Sequence, residues 1–449
     1  MNDKSVDLLN GSISKSIIQF SIPLFLGQLL QQLYNIADAW VLGNFAENEA
    51  FAAVSAGGSL SFFIVGFVGG LAAGGSIIIS RYFGAGDKDN VVKAIHANVV
   101  FAVLCSVFAT VVGLIIVPKM LVLMDTPEEV LPYSLMYFRI FFGGISTMVM
   151  YNTFMNIMRS LGDSYHPLIY LLISSIINVV LDLVLVAGMH TGVVGAAAAT
   201  VLAQAISAVL CCIRLVRMPD YTRLRWSELK WYPNLMKQIV AQGLPMGLQN
   251  SVISIGNIVV QSNINDFGAY AMSGMGAYSK IEGFVFLPIN CMSMALPTFI
   301  SQNLGARKYD RAKKGAAFGV ISGAVFAEII GVLFYLFAES LLRCFVDDDR
   351  AIEFGMIHVS VTCFFFFLLA LSHCAAGVMR GCGKSIVPMV TMLSFWCALR
   401  VIYVTIAIEL RPQFSTISWC YPLTWTCSTV VFLIWLLTKD WVHSFERRD

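Results

Sequence analysis

The chain has 449 residues, of which 58% are hydrophobic and only 12% are charged. A soluble domain carries about twice that share of charged residues, so this composition excludes an ordinary water-soluble protein. The formal net charge of +2 says little by itself, because the informative quantity is where Lys and Arg lie relative to the apolar stretches. The eleven cysteines show no spacing typical of a disulfide framework or a zinc site.

Twelve apolar stretches follow one another along the chain, each long enough to cross about 30 Å of hydrocarbon as a helix. The first six are predicted at residues 16–43, 52–80, 94–117, 133–158, 166–188 and 193–213. The last six are predicted at residues 238–263, 273–302, 314–338, 354–379, 386–408 and 417–437. The first stretch is too long for a signal-peptide core, so we expect it to remain as the first span. The sequence therefore predicts an all-α membrane protein with about twelve transmembrane helices.

The two sets of six spans resemble each other at an offset of 221 or 222 residues. Pro23 aligns with Pro245, and the polar turn Met158–Ser164 aligns with Met379–Ser385. Because such matches fall in polar loops as well as in apolar helices, chance similarity of apolar segments explains them poorly. The sequence therefore predicts a tandem repeat of one six-helix unit.

Lys and Arg lie mostly on one side of the predicted spans. The side with both termini, the even-to-odd loops and the central segment has 22 of them, and the opposite side has four. This bias places both termini in the cytoplasm. Because each half has an even number of spans, the halves are parallel repeats, with a substrate site expected between them. We predict an N-terminal lobe at residues 1–213, a cytoplasmic linker at 214–237 and a C-terminal lobe at 238–449.

Several ionisable residues fall inside the predicted spans. A charge near the centre of a membrane helix costs at least about 2.5 kcal/mol, so each needs a partner, a water-filled cavity or a function. Asp38, Arg139 and Asp182 lie at similar depth, roughly 8 to 9 Å below the outer surface at about 1.5 Å per residue. The full set is Asp38, Arg139, Asp182, Lys280, Glu282, Glu328 and Arg400.

The two acids of the first half share their helical faces with polar residues. These neighbours are Gln31, Tyr34 and Asn35 before Asp38, and Asn178 before Asp182. Burial of a carboxylate favours its protonated form and a nearby Arg favours its ionised form, so the pair could bind and release a cation. The alternative interpretation is that Arg139 forms a static ion pair with Asp182 or Asp38.

The second half carries two acids and two bases, which can neutralise one another in a structural network. Lys280 and Glu282 are two residues apart and cannot face the same way on a helix, so one of them is expected to line the central cavity. In the second half, the candidates for substrate contact or gating are Glu282, Asn257 and Gln261. In the first half they are Tyr34, Asn35 and Arg139.

Enzyme signatures are missing from the sequence. The segment Gly381–Ser385 ends like a phosphate-binding loop, but Val378 stands where the first glycine is required. No metalloprotease or serine-hydrolase motif is present either. We therefore expect no enzymatic activity, no catalytic residues and no cofactor.

Several motifs resemble the multidrug and toxic compound extrusion (MATE) transporters over nearly the whole chain. They are Ser21–Pro23, Tyr34–Asp38 followed by Gly43–Asn44, the loop Ser80–Gly86, and the twin Met158-Arg159 and Met379-Arg380 elements. The resemblance implies a V-shaped pair of six-helix lobes in the bacterial plasma membrane. It also implies export of small cationic or amphipathic organic compounds in exchange for H⁺ or Na⁺. We expect a monomer in contact with membrane lipid and no nucleic-acid partner.

Within that family the chain looks most similar to the DinF-like branch. The resemblance implies a cation site at Asp38 and Asp182, which would be the sole place for a metal ion, as Na⁺. Pro23 matches the proline at which the first helix is proposed to bend. The other matching positions of the site are Gln31, Asn178 and Thr200. The acids that the NorM-like branch carries in spans seven and ten are missing here, so a second sodium site is not expected.

The sequence thus favours a secondary active antiporter that exports organic compounds by alternating access. The alternative is a flippase or exporter of a lipid-linked or oligosaccharide precursor, which would need a strongly cationic cavity. A passive channel or a signalling membrane protein would leave the acidic cluster without a purpose.

Overall fold

The computed structural model describes residues 5–46, 58–123 and 127–446. Every regular element in these ranges is a helix, which confirms the predicted all-α class. The predicted start of the second span, residues 52–57, lies outside the described residues.

The first half contains seven α-helices in the described residues. They are α1 Ile13–Phe45, α2 Gly58–Ala85, α3 Lys88–Leu123, α4 Leu131–Gly143, α5 Ile145–Ser160, α6 Tyr165–Asp182 and α7 Gly192–Val216. A π-helical segment, Leu183–Gly188, continues α6. The segment that follows α7 contains two short 3₁₀ turns, at Asp220–Thr222 and Trp226–Glu228.

The second half repeats this order with more interruptions. Its helices are α8 Pro233–Asn265, α9 Ala269–Gly305, α10 Tyr309–Arg343, α11 Asp349–Thr362, α12 Phe366–Gly381, α13 Ile386–Met392, α14 Arg400–Leu410 and α15 Phe414–Thr438. A 3₁₀ turn, Cys363–Phe365, joins α11 to α12, and a π-helical segment, Leu393–Leu399, joins α13 to α14.

Ten helical segments of the described chain are long and apolar enough to cross a membrane. The two remaining spans have physical reasons for failing that criterion. The fourth span is split at Gly144 into α4 and α5, each of which is too short alone. The seventh span, α8, is 33 residues long but carries several Gln and Asn side chains along its length. Together they complete the predicted twelve spans.

The helices form two compact units whose boundaries fall inside α1 and α8. The first unit holds Met1–Asp7 and Ile22–Gly247, and the second holds Leu8–Ser21 and Leu248–Asp449. The crossing points lie beside Pro23 and near Pro245, which align in the repeat. Proline removes one intrahelical hydrogen bond, so each crossing lies near a locally weakened part of its helix. The division of the sequence at residues 214–237 stays a prediction.

Glycines let the first turns of α8 pack tightly against α2 in the first unit. A Cβ on Gly70 or Gly74 would clash with the backbone at Gly247 or Gly243. Close backbone approach of this kind is how helices associate in lipid, where apolar burial gives little driving force. The contact explains why this part of α8 belongs to the first unit.

The segment after residue 7 is held by polar contacts within the second unit. The Asn303 amide and the Lys308 ammonium donate to the carbonyls of Leu8 and Leu9 at 3.1 and 2.9 Å. The Arg311 guanidinium donates to the carbonyls of residues 8, 10 and 11. Leu8 is thereby fixed in the interior, with 1% of its surface exposed.

Candidate functional site: a carboxylate pair in the first unit

Two carboxylates from different helices come together in the first unit. Asp38 lies in the outer part of α1, and Asp182 is the last residue of α6, directly before the π-helical segment. Their carboxyl groups lie close enough to interact electrostatically. Asp182 is 1% exposed, whereas Asp38 is half-buried. The structure therefore places the two predicted acids in one site.

Hydroxyl groups from two further helices surround this pair. The hydroxyls of Tyr34 and Thr200 lie 3.5 Å apart, so α1 and α7 meet beside Asp38. Tyr34 and Tyr137 both interact electrostatically with the two carboxylates. The site is thus built from side chains of α1, α4, α6 and α7.

Most polar atoms at the centre of the site lack a hydrogen-bond partner among the described residues. Both carboxyl oxygens of Asp182, one of Asp38 and both amide atoms of Asn178 are buried and unpaired. A buried polar group left unsatisfied costs about 1–3 kcal/mol, so such a cluster needs an explanation. Carboxylate, amide and hydroxyl oxygens are hard ligands that suit a proton or a Na⁺ ion, and a bound cation would satisfy them.

Arg139 does not neutralise this pair. Its side chain is exposed and lines a shallow cleft with Gly113 and Pro118 of α3. The salt bridges found in the described chain involve other residues. The static ion pair of Arg139 with Asp38 or Asp182, which the sequence allowed, is therefore not formed.

The other predicted residues of the first unit lie at the edge of the site or away from it. Gln31 and Asn35 are exposed on α1, whereas Asn178 is completely buried one turn before Asp182. Pro23 lies inside the continuous helix α1, many residues before Asp38. The roles of these residues in coupling, gating and bending stay predictions.

Tyr137 is a site residue that the sequence interpretation missed. It precedes Arg139 by two residues and therefore shares its depth while pointing from another face of α4. The depth argument that grouped Arg139 with the acids applied equally to Tyr137. The signal was overlooked because aromatic residues in membrane helices are usually packing residues.

The four charged residues of the second unit do not form the ion-paired network considered above. Glu328 accepts a hydrogen bond from the backbone amide of Phe367, at 3.1 Å, where the tenth span is broken. Glu282 accepts one from the Tyr278 hydroxyl at 3.1 Å, and Lys280 is exposed. Among the described residues, the partners of these charges are therefore mainly neutral groups.

The predicted candidates Asn257 and Gln261 are both exposed on α8. Asn257 accepts a hydrogen bond from Arg400 at 2.9 Å. The Gln261 amide donates to Asn265 at 2.9 Å, one turn further along the helix. Their proposed contact with substrate stays a prediction.

Comparison with known proteins agrees with the repeat and the fold. The MatE family model matches residues 23–184 and again residues 245–405, once in each half of the chain. The chain belongs to the MATE family. The two matches start at the aligned prolines, Pro23 and Pro245, and together cover more than half of the sequence. The resemblance inferred from the motifs is confirmed, whereas the branch within the MATE family stays a prediction.

Relatives of similar length occur in Bacillus subtilis (strain 168). The probable multidrug resistance protein YpnP is 28% identical over 396 residues, which cover 88% of each chain. The probable multidrug resistance protein YoeA is 26% identical over 395 residues, covering 86% of this chain and 85% of that protein. These relatives support a multi-pass membrane transporter that exports small organic compounds.

A solved MATE structure in complex with MaL6 has the same fold. It matches with a TM-score of 0.90 at 21% sequence identity, covering 97% of this chain and 98% of that one. At this identity the match shows the fold alone. It confirms the predicted MATE-like arrangement of two six-helix lobes.

Proposed function

We propose that this MATE protein is a secondary active antiporter that exports organic, cationic or amphipathic compounds in exchange for H⁺ or Na⁺. The observation that carries the proposal is the adjacent pair Asp38 and Asp182, which lies in a membrane-spanning unit without a basic partner among the described residues. Two neighbouring carboxylates in a medium of low polarity repel each other strongly when both are ionised. A cation that binds between them removes this repulsion.

The surrounding groups suit either cation. A proton needs only to be shared between the two carboxyl groups, and it leaves one negative charge at the site. A Na⁺ ion needs several oxygen ligands, which the carbonyl oxygen of Asn178 and the hydroxyls of Tyr34, Thr200 and Tyr137 can add to those of the acids. The same residues therefore serve H⁺ or Na⁺ coupling.

The ion gradient supplies the energy for export. One elementary charge that crosses a membrane potential of 100 mV releases about 2.3 kcal/mol, which sustains a concentration ratio of roughly fifty for a neutral compound. In our proposal a cation binds Asp38 and Asp182 from the outside, favours the state that releases the compound, and dissociates into the cytoplasm. Cation binding thus drives the cycle because the cation binds one state of the protein more tightly than the other.

An export assay in cells tests the proposal through Asp38→Asn. The substitution keeps the shape of the side chain but removes the charge that attracts the cation, so we expect efflux of a fluorescent organic cation to fall at least about tenfold. Asp266→Asn changes an exposed acid at the end of α8 and serves as the control. Equal amounts of protein in the membrane must be verified for both variants. Undiminished efflux by Asp38→Asn would refute the proposed role.

A further inference from the structure

The second unit contains a buried arginine in the middle of a membrane span. Arg400 is the first residue of α14 and directly follows the π-helical segment Leu393–Leu399. It is 2% exposed. At about 1.5 Å per residue, it lies roughly 15 Å from the end of the helix at Leu410, well below the level of lipid headgroups.

All hydrogen bonds of this guanidinium go to neutral oxygens. One terminal nitrogen donates to Asn257 Oδ1 at 2.9 Å, and the other donates to Thr424 Oγ1 at 3.0 Å. Arg400 Nε is buried and has no hydrogen-bond partner among the described residues. The positive charge is therefore held in place but is not neutralised at contact distance.

Two aromatic rings flank the guanidinium. Its central carbon lies 4.6 Å from the ring centroid of Tyr421 and 5.4 Å from that of Trp396. Ring faces stabilise a cation by roughly 0.5–2 kcal/mol each, which lowers the cost of burial but supplies no counter-charge.

Glu282 acts on Arg400 only at longer range. The two residues interact electrostatically, but they form no salt bridge within the described part of the chain. The Glu282 carboxylate is instead held by the Tyr278 hydroxyl, which also lies 3.2 Å from the Thr362 hydroxyl. The Glu282 carboxylate therefore does not contact Arg400, and an anion from a ligand can take that position.

An exposed side chain of α8 contacts the guanidinium directly. Asn257 is itself exposed, and its oxygen occupies the place that a ligand oxygen would take. The neighbouring Gly256 allows α8 to lie against the carbonyl of Trp396, since a Cβ there would come within 2.8 Å of it. This contact keeps Asn257 beside Arg400, where rotation of its side-chain amide would free one terminal nitrogen of the guanidinium.

We propose that Arg400 binds the carboxylate or phosphate of an exported amphipathic compound, with the side chain of Asn257 displaced. A guanidinium matches the geometry of such groups, because its N–H donors pair with two anion oxygens at once. The inference rests on the proposed export function and adds anionic and zwitterionic molecules to its substrate class.

Equilibrium binding of two dyes tests the inference. The probes are a rhodamine with a free carboxylate and the ethyl ester of the same dye, measured with purified protein in phosphatidylcholine nanodiscs. We expect Arg400→Gln to weaken binding of the acid at least about tenfold and to change binding of the ester less than about twofold. Arg411→Gln, an exposed arginine at the end of α14, should leave both affinities unchanged. Equal losses for both dyes, or no loss for the acid, would overturn the proposal.

Asn257→Asp is a second variant that does not remove the buried arginine. It places a carboxylate at the position of an oxygen 2.9 Å from the guanidinium, so it should compete with the dye acid while the protein stays folded. We expect about tenfold weaker binding of the acid and unchanged binding of the ester; unchanged binding of the acid would contradict the assignment. If added phosphatidylglycerol displaces the acid from the wild type, the site belongs to a lipid headgroup and the proposal fails.

The dye measurement is made at equilibrium without a gradient, and the comparison of the acid with its ester separates the anion site from cation coupling. Asp38→Asn should change binding of the acid and of the ester by the same factor, because it leaves the contacts of Arg400 unchanged. If Asp38→Asn retains full export while Arg400→Gln selectively loses the acid, the antiport proposal fails and the anion site stands. If export behaves as proposed but Arg400→Gln does not weaken binding of the dye acid, the anion site alone is refuted.

Discussion

Asp182 and Arg400 are buried to a similar degree, at 1% and 2% exposure, yet their surroundings differ. Asp182 is the last α-helical residue before one π-helical segment, and Arg400 is the first after the other. Such segments shift the helical register locally and often occur at functional sites. The acid faces a second acid, whereas the base faces neutral oxygens, so neither Asp182 nor Arg400 contacts a counter-ion among the described residues.

Tyr137→Phe tests whether the overlooked tyrosine takes part in cation binding. The change removes a hydroxyl that lies near both carboxylates but keeps the ring in place. Because one hydrogen bond is worth about 0.5–1.5 kcal/mol, we expect the cation concentration for half-maximal export to rise roughly two- to tenfold. Tyr335→Phe, at an exposed position of α10, should have no effect. An unchanged cation dependence would exclude a role for Tyr137.

Residue identities alone could predict which charges lie in the membrane, but not their partners. The spacing of Asn178 and Asp182 correctly placed both on one helical face, and the depth argument brought Asp38 to the same level. The same argument included Arg139, which points into a different cleft, because depth does not specify the direction of a side chain. The partners of Arg400 could not be assigned, since one of them, Asn257, lies on a helix distant in sequence.

At the scale of helices, the apolar stretches predicted where the spans lie but not how they are broken. The split at Gly144 arises beside Val201, whose side chain a Cβ at position 144 would strike. The break of the tenth span places the Phe367 amide against the Glu328 carboxylate. Both depend on neighbouring helices, which the hydropathy of a single segment cannot reveal.

The packing of α2 against α8 gives a prediction from two adjacent glycines. Gly70 faces the backbone of Gly247, whereas a Cβ on Gly69 would have no neighbour within 4 Å. We expect Gly70→Ala to destabilise the protein by about 1–3 kcal/mol through overpacking, and Gly69→Ala to be neutral or stabilising. Thermal unfolding in detergent, followed by size-exclusion chromatography, measures the difference. Equal midpoints for the two variants would show that the helices are not in contact there.

At the scale of the whole molecule, the repeat explains the order of the helices but not the exchange of segments. Aligned prolines at 23 and 245 predicted equivalent helices in both halves. The compact units show that α1 and α8 each contribute turns to both units, so the covalent halves and the compact units differ. A sequence offset cannot show this, because it compares segments without stating what each one packs against.

The proposed topology predicts the labelling of a native cysteine. Cys344 is exposed and follows α10, on the side opposite to the termini, whereas the other ten cysteines are buried or half-buried. A membrane-impermeant maleimide should therefore label Cys344 in intact cells, and Cys344→Ser should lose the label. Labelling that requires permeabilised cells would place the termini outside and reverse the orientation.

The central claim is that Asp38 and Asp182 couple a cation to export. Proteoliposomes with a pH gradient or a Na⁺ gradient, imposed separately, measure this directly through uphill movement of a fluorescent organic cation. The account predicts uphill transport by the wild type with at least one gradient, and none by Asp38→Asn/Asp182→Asn, although that variant should still bind the dye. Uphill transport by the double variant at the wild-type rate would contradict the account.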